Sequence, residues 1–234
     1  MRDVPQGCAL ALAGVLLLSG CASAPGTAVW SGTRVDDADL PALLLTAAEV
    51  EEITGVELPD ETVGDTYLTE GVPADCSWAW EPAVEDTYVN AAPTGVAHSV
   101  LYRLWETGAA GERTLAGPGP QVHQALVTVA TEAAADTFLA ALPDSWAACA
   151  DAVIETGPRR RVTGVAPGYQ FGGVVVDEAG RTVSISRTPL SSGSECQRTV
   201  TTRTNVIVDV SVCGDTAAGR VEAIVERLAD NVET

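Results

Sequence analysis

Cys196 and Cys213 constrain the fold of this chain more than any other two of its residues. Between them lie two β-prone runs, Gln197 to Arg203 and Val206 to Val212, separated only by Thr204-Asn205. Two such runs joined by a pair of turn-prone residues read as an antiparallel hairpin. With the turn at Thr204-Asn205, facing residues have numbers that sum to 409, so Arg203 faces Val206 and Cys196 faces Cys213. Facing cross-strand positions lie close enough for a disulfide.

The other four cysteines follow from the N-terminus. Ala9 to Leu18 is an apolar run without a charge, too short to span a bilayer and of the length of a signal-peptide core. It closes on Leu18-Ser19-Gly20-Cys21, the pattern of a lipobox, in which the cysteine becomes the first mature residue and carries the lipid, palmitate included. A plain secretory peptide cleaved within Ala22-Ser23-Ala24 is the alternative, and both take the chain out of the cytosol. Cys8 then leaves with residues 1–20 and Cys21 is lipidated. Cys76, Cys149, Cys196 and Cys213 remain in an oxidising compartment, which reads as two structural disulfides. With the hairpin pair assigned, Cys76 is left to Cys149. There is no Cys-x-x-Cys or Cys/His clamp, which argues against redox catalysis and zinc.

Residues 21–37 are rich in small and polar residues and read as a lipidated flexible tether, with a single folded domain over 38–234. Thr46 and Glu49 have the spacing of a capping box for a helix that carries Val50 and Ile53 and stops at Gly55. Asp75 to Trp80, if extended, puts Cys76, Trp78 and Trp80 on one side of a strand. Strands are expected at 99–105 and 122–130, joined by a long surface connection. A helix capped by Thr131 runs from Glu132 to Leu142 and is interrupted by Pro143. Further β-prone pieces follow at 171–176 and 182–186. After Asp215 comes an amphipathic helix whose apolar side is Val221, Ile224, Val225, Leu228 and Val232. The fold class is therefore α+β, a largely antiparallel sheet flanked by helices, stapled by two disulfides.

Charge narrows the partners. The net charge is -19, which argues against nucleic acid and against adsorption to an anionic surface. All thirteen basic residues are Arg, a bias of high-GC bacteria. The sequence holds no Gly-x-Ser-x-Gly elbow, His-Glu-x-x-His or P-loop. His98 and His123 are the only histidines, and their strand setting reads as structural rather than as general base or ligand. No catalytic residue, metal site or cofactor is expected. Arg159-Arg160-Arg161 is the one basic run, and with Trp78, Trp80 and Trp105 it supplies the candidate lining of a ligand cleft.

Taken together, Leu44-Leu45-Thr46 through Val50, Ile53 and Gly55, then Asp75-Cys76-Ser77-Trp78, the segment from Ala133 and Phe138 to Trp146 and Cys149, and Arg203-Thr204-Asn205 through Val210 and Cys213 resemble a known pattern. It is similar to actinobacterial, especially mycobacterial, lipoproteins with the extracellular sensor-like domain of PknH-type receptor kinases. The resemblance covers roughly residues 40–232 and implies an extracytoplasmic antiparallel sheet with flanking helices, disulfides 76–149 and 196–213, and a cleft for an unidentified ligand. It carries over no catalytic residue. Without a kinase domain or membrane helix of its own, such a chain is not expected to signal across the membrane by itself. The expected function is that of a non-catalytic, lipid-anchored extracytoplasmic domain binding a small molecule, an envelope component or a protein. The alternative is a protein-interaction scaffold without a pocket, ahead of a cell-envelope hydrolase.

Overall fold

Cross-strand register and helix caps account for most of the architecture. The structure, a computed structural model, describes residues 34–69, 73–103, 105–107, 113–115, 120–156, 168–190, 194–214 and 217–233. In chain order the elements are α1 (Leu40–Leu43), α2 (Ala47–Thr54), β1 (Asp60–Gly64), α3 (Ser77–Trp80), α4 (Glu85–Tyr88), β2 (Gly95–Tyr102), β3 (Trp105–Thr107), β4 (Arg113–Leu115), β5 (Gln121–Thr128) and α5 (Glu132–Ala147). They continue with β6 (Val153–Glu155), β7 (Gly168–Val176), β8 (Thr182–Pro189), β9 (Cys196–Arg203), β10 (Val206–Cys213) and α6 (Ala217–Glu233). Eight strands form one sheet in the order β1-β2-β5-β10-β9-β8-β7-β6. Every neighbouring pair in it is antiparallel. Strands β3 and β4 pair separately, inside the segment expected to be a plain connection.

The hairpin β9–β10 sets the centre of the sheet. Thr204 turns with φ 48°, Arg203 pairs with Val206, and Cys213 lies opposite Cys196, to which it is bonded. Strand alternation then sends Val206, Val208, Val210 and Val212 to one face, where they pack with Val221, Ile224, Val225, Leu228 and Val232 of α6 and with Leu40, Leu45 and Val50. Helix α2 begins on the reciprocal Thr46–Glu49 capping box and ends on Gly55 in the left-handed region at φ 66°. The other face carries a second core, in which Phe138, Leu139, Leu142 and Trp146 of α5 meet Val127, Val200, Ile207, Val183 and Phe171.

Two local expectations are corrected. Residues 75–80 are not a strand: Cys76 takes φ 59° and Ser77–Trp80 is a single helical turn. Tertiary hydrogen bonds override strand propensity there. The Trp78 carbonyl accepts from Trp146 Nε1, Thr87 Oγ1 and Arg198 Nη1, and the Ser77 hydroxyl donates to Asp86. Likewise Pro143 does not end α5, which runs on to Ala147. The last turn is held because Trp146 is fully buried and Cys149, just beyond it, is bonded to Cys76.

Candidate ligand site

The second core is not purely apolar. Each central strand places a polar or charged side chain on that face: His98 from β2, His123 from β5, Asp209 and Ser211 from β10, Arg198 from β9 and Arg187 from β8, all buried. Register aligns them in rows. His123 faces Ser211, which faces Arg198, while Cys213 faces Cys196 and Cys196 faces Arg187 one step along. The segment from Cys76 to Ala92, with α3 and α4, lies over these rows. It contains three non-glycine residues at positive φ, Cys76, Ala83 and Ala92. Such residues persist where the surrounding structure over-determines them.

Two charge centres occupy the rows. In the first, Arg198 donates through Nε to Asp209 Oδ1 (2.9 Å) and through Nη2 to Asp209 Oδ2 (2.5 Å). Tyr88 donates its hydroxyl proton to the same carboxylate (2.5 Å) and accepts from the Ala83 N–H. Burial and the Asp209 charge push the Tyr88 phenol well above its ordinary range. Despite burial, Asp209 beside it holds the Arg198 guanidinium more firmly protonated than in water. Every nitrogen of Arg198 has an acceptor, as a buried ion pair requires.

The second centre is less complete. Glu81 pairs with Arg187, and His123 Nδ1–H donates to the other Glu81 oxygen at 3.4 Å. Burial raises the Glu81 pKa, but Arg187 and His123 outweigh it and bring the carboxyl down to about 2. Arg187 lies 4.8 Å from the Trp80 ring and 5.4 Å from the Tyr169 ring, and Trp80 meets Tyr169 and Phe171 edge-on. Yet Nε and Nη1 of Arg187, Oγ of Ser211 and Nε2 of His123 are buried with no partner among the described residues. His98 donates from Nε2 to the Thr66 carbonyl, its ring lies 5.5 Å from that of His123 at a tilt of 55°, and burial with that neighbour holds its pKa down. Arg187, Arg198 and Ser211 border a narrow chamber, without room for a water molecule, together with Ala79, Trp80, Phe171, Ile185, Ser186 and Cys196.

The sequence candidates divide. Trp80 is a wall of the chamber, whereas Trp78 is only partly buried and donates its indole N–H to the Ser145 carbonyl, a structural role. Trp105 lies on β3, whose side chains are outside the described residues, as is the whole of Arg159-Arg160-Arg161. The residues that sequence reasoning missed are Glu81, Arg187, Arg198, Asp209 and Ser211. A signal existed for three of them. Arg198, Asp209 and Ser211 occupy the inward face of strands at the centre of the sheet, where a charge is expensive unless paired.

Glu81, His123 and Ser211 fall in the order of an acid, an imidazole and a hydroxyl. His123 Nε2 and Ser211 Oγ, however, are each without a hydrogen bond among the described residues, and both residues are only 2 % exposed. A hydrolytic triad needs that bond and an open approach to the hydroxyl. Among the described residues no three His, Cys, Asp or Glu side chains are grouped to hold a metal ion.

The class that the fold and site define is a disulfide-braced α+β domain with a buried polar seam and, among the described residues, no assembled catalytic centre. Residues 35–231 match the PknH-like extracellular domain family, and the chain belongs to it. Over 205 residues it is 26 % identical to the serine/threonine-protein kinases PknH of Mycobacterium bovis and Mycobacterium tuberculosis. The match covers 82 % of this chain but only 30 % and 29 % of those proteins, so the chain spans less than a third of their length. It corresponds to their extracellular, non-catalytic part. The crystal structure of the extracellular domain of PknH from Mycobacterium tuberculosis superimposes with a TM-score of 0.65 at 22 % identity, covering 86 % of this chain and 97 % of that one, which shows the shared fold.

Proposed function

We propose that this chain is a lipid-anchored extracytoplasmic binding domain that holds a small molecule beneath the segment from Cys76 to Ala92. The observation that carries the reading is the set of buried polar atoms beneath that segment, Nε and Nη1 of Arg187, Oγ of Ser211 and Nε2 of His123, which have no partner among the described residues. The segment above them is pinned by Cys76–Cys149, by the three donors on the Trp78 carbonyl and by the Tyr88–Asp209 hydrogen bond. The lipobox supports anchorage through Cys21, and the family supports an extracytoplasmic setting.

Native mass spectrometry of the whole protein, purified under non-denaturing conditions from an actinobacterial host, tests the reading. The expected result is an extra mass that denaturation releases, beside the covalent lipid on Cys21. A protein that carries no releasable mass and acquires none from envelope extract would overturn it.

A further inference from the structure

The turn between β7 and β8 faces α5 across a cleft of about 290 Å³, lined by Asp136 and Leu139 of α5, Gly180 and Arg181 of the turn, and Thr202 and Arg203 of β9. That volume lies near the lower end of the range of small-ligand pockets. The cleft shares no lining residue with the narrow chamber under Trp80. Bonds to its backbone fix the turn: Asp177 Oδ1 accepts from the N–H groups of Arg181 and Thr182, and Thr201 Oγ1 donates to the Arg181 carbonyl. Arg181 is thus held on both sides, while its exposed side chain has no hydrogen bond or ion pair among the described residues. Arg203 is spent only in part. Its Nη1 donates to Thr201 Oγ1 and the Thr202 carbonyl and its Nε pairs with Glu233, which leaves Nη2. On the facing wall Asp136 accepts from the Thr202 hydroxyl through Oδ1, which leaves Oδ2.

Opposite charges therefore line one cleft without meeting, since among the described residues no ion pair joins Asp136 to Arg181 or Arg203. A simple cation entering here meets two guanidinium groups. A polyanion meets Asp136, and Asp177 and Glu233 beside the two arginines leave no surplus of positive charge for it. An apolar molecule desolvates all three charges and pairs with none. A molecule that carries both signs answers both walls with charge-assisted hydrogen bonds. Leu139, beside Asp136, adds an apolar stretch for a short aliphatic body. We propose that the cleft binds a small zwitterion of the amino-acid type, its carboxylate on Arg181 and on Nη2 of Arg203 and its ammonium on Asp136.

This site is additional to the one beneath the segment from Cys76 to Ala92, and neither depends on the other. A zwitterion also suits the molecule as a whole. With a net charge of -19 the protein repels anions at long range, whereas a ligand of no net charge escapes that repulsion and is held by the short contacts alone.

The test titrates the full chain with L-valine and β-alanine, whose two charges are spaced differently, and with N-acetyl-L-valine and L-valinamide, each of which keeps one charge. Calorimetry and saturation-transfer NMR at constant ionic strength give the readout. At least one of the two zwitterions is expected to bind saturably with one site per chain, and the singly charged analogues about tenfold more weakly or worse. Tighter binding of valine assigns an α-amino acid, and tighter binding of β-alanine assigns the longer spacing. Arg181→Gln and Asp136→Asn change exposed side chains, so both are expected to melt like the wild type and each to weaken zwitterion binding about tenfold or more. The proposal is overturned by no saturable binding of either zwitterion up to about 100 mM, by a singly charged analogue that binds as tightly as valine, or by binding that both variants leave unchanged. Because the cleft and the chamber share no residue, this outcome is independent of the native mass measurement.

Discussion

At the scale of single residues, the two acids of the second core differ in what surrounds them. Asp209 is completed on all sides by Arg198 and Tyr88, whereas Glu81 serves an arginine that has nitrogens left over. Glu81 titrates near 2 in the folded chain and near 4.5 when unfolded, because Arg187 and His123 favour the carboxylate. A depressed carboxyl stabilises the fold at pH values above the unfolded pKa, and that contribution is lost as pH falls toward the folded one. The displacement corresponds to about 3 kcal/mol at neutral pH. Glu81→Gln removes this contribution. Urea unfolding between pH 7 and 2.5 is therefore expected to show the variant less stable at neutral pH, with the gap closing between about pH 4.5 and 2. A gap that stays constant across that window would show that Glu81 contributes packing and no charge.

Among the elements, legibility tracked the range of the interactions that make each one. Helix α2 was readable because its start depends on residues three apart. The Thr46 N–H donates to Glu49 Oε2 at 2.8 Å, and the Glu49 N–H returns to Thr46 Oγ1. Thr46 is exposed, so its replacement tests the cap without disturbing the core. Thr46→Ala is expected to lower stability by about 1 kcal/mol, and Thr46→Ser to restore most of it, by urea unfolding. An equal loss in both would assign the effect to the threonine methyl. Strands β9 and β10 were readable for the same reason, since a two-residue turn fixes their register. Residues 75–80 and the end of α5 were not, because the bonds that shape them join Trp78 to Trp146 and Arg198, 68 and 120 residues away. The chamber was hidden similarly. Trp80 could be singled out as an aromatic beside a cysteine, but Arg187 meets Glu81 across 106 residues, and no local spacing announces that pairing.

For the whole molecule, the two disulfides do different work although both join residues on the same side of the sheet. Cys196–Cys213 closes a separation of 17 residues within a hairpin whose register already sets the two opposite each other. Cys76–Cys149 closes 73 and ties the cover over the chamber to the end of α5. Chain entropy alone makes the first worth about 3 kcal/mol and the second about 4. Urea unfolding should therefore separate Cys196→Ser/Cys213→Ser from Cys76→Ser/Cys149→Ser by only about 1 kcal/mol. Amide exchange is expected to separate them sharply. Losing the hairpin link lowers protection across the sheet together, because β9 and β10 stay zipped to their neighbours β8 and β5. Losing the long link frees Cys76 from its left-handed conformation and removes the one covalent restraint on the cover, so amides of Ser77 to Tyr88 should exchange well ahead of the sheet. If that segment instead keeps the protection of β10, the three donors on the Trp78 carbonyl hold it without the disulfide.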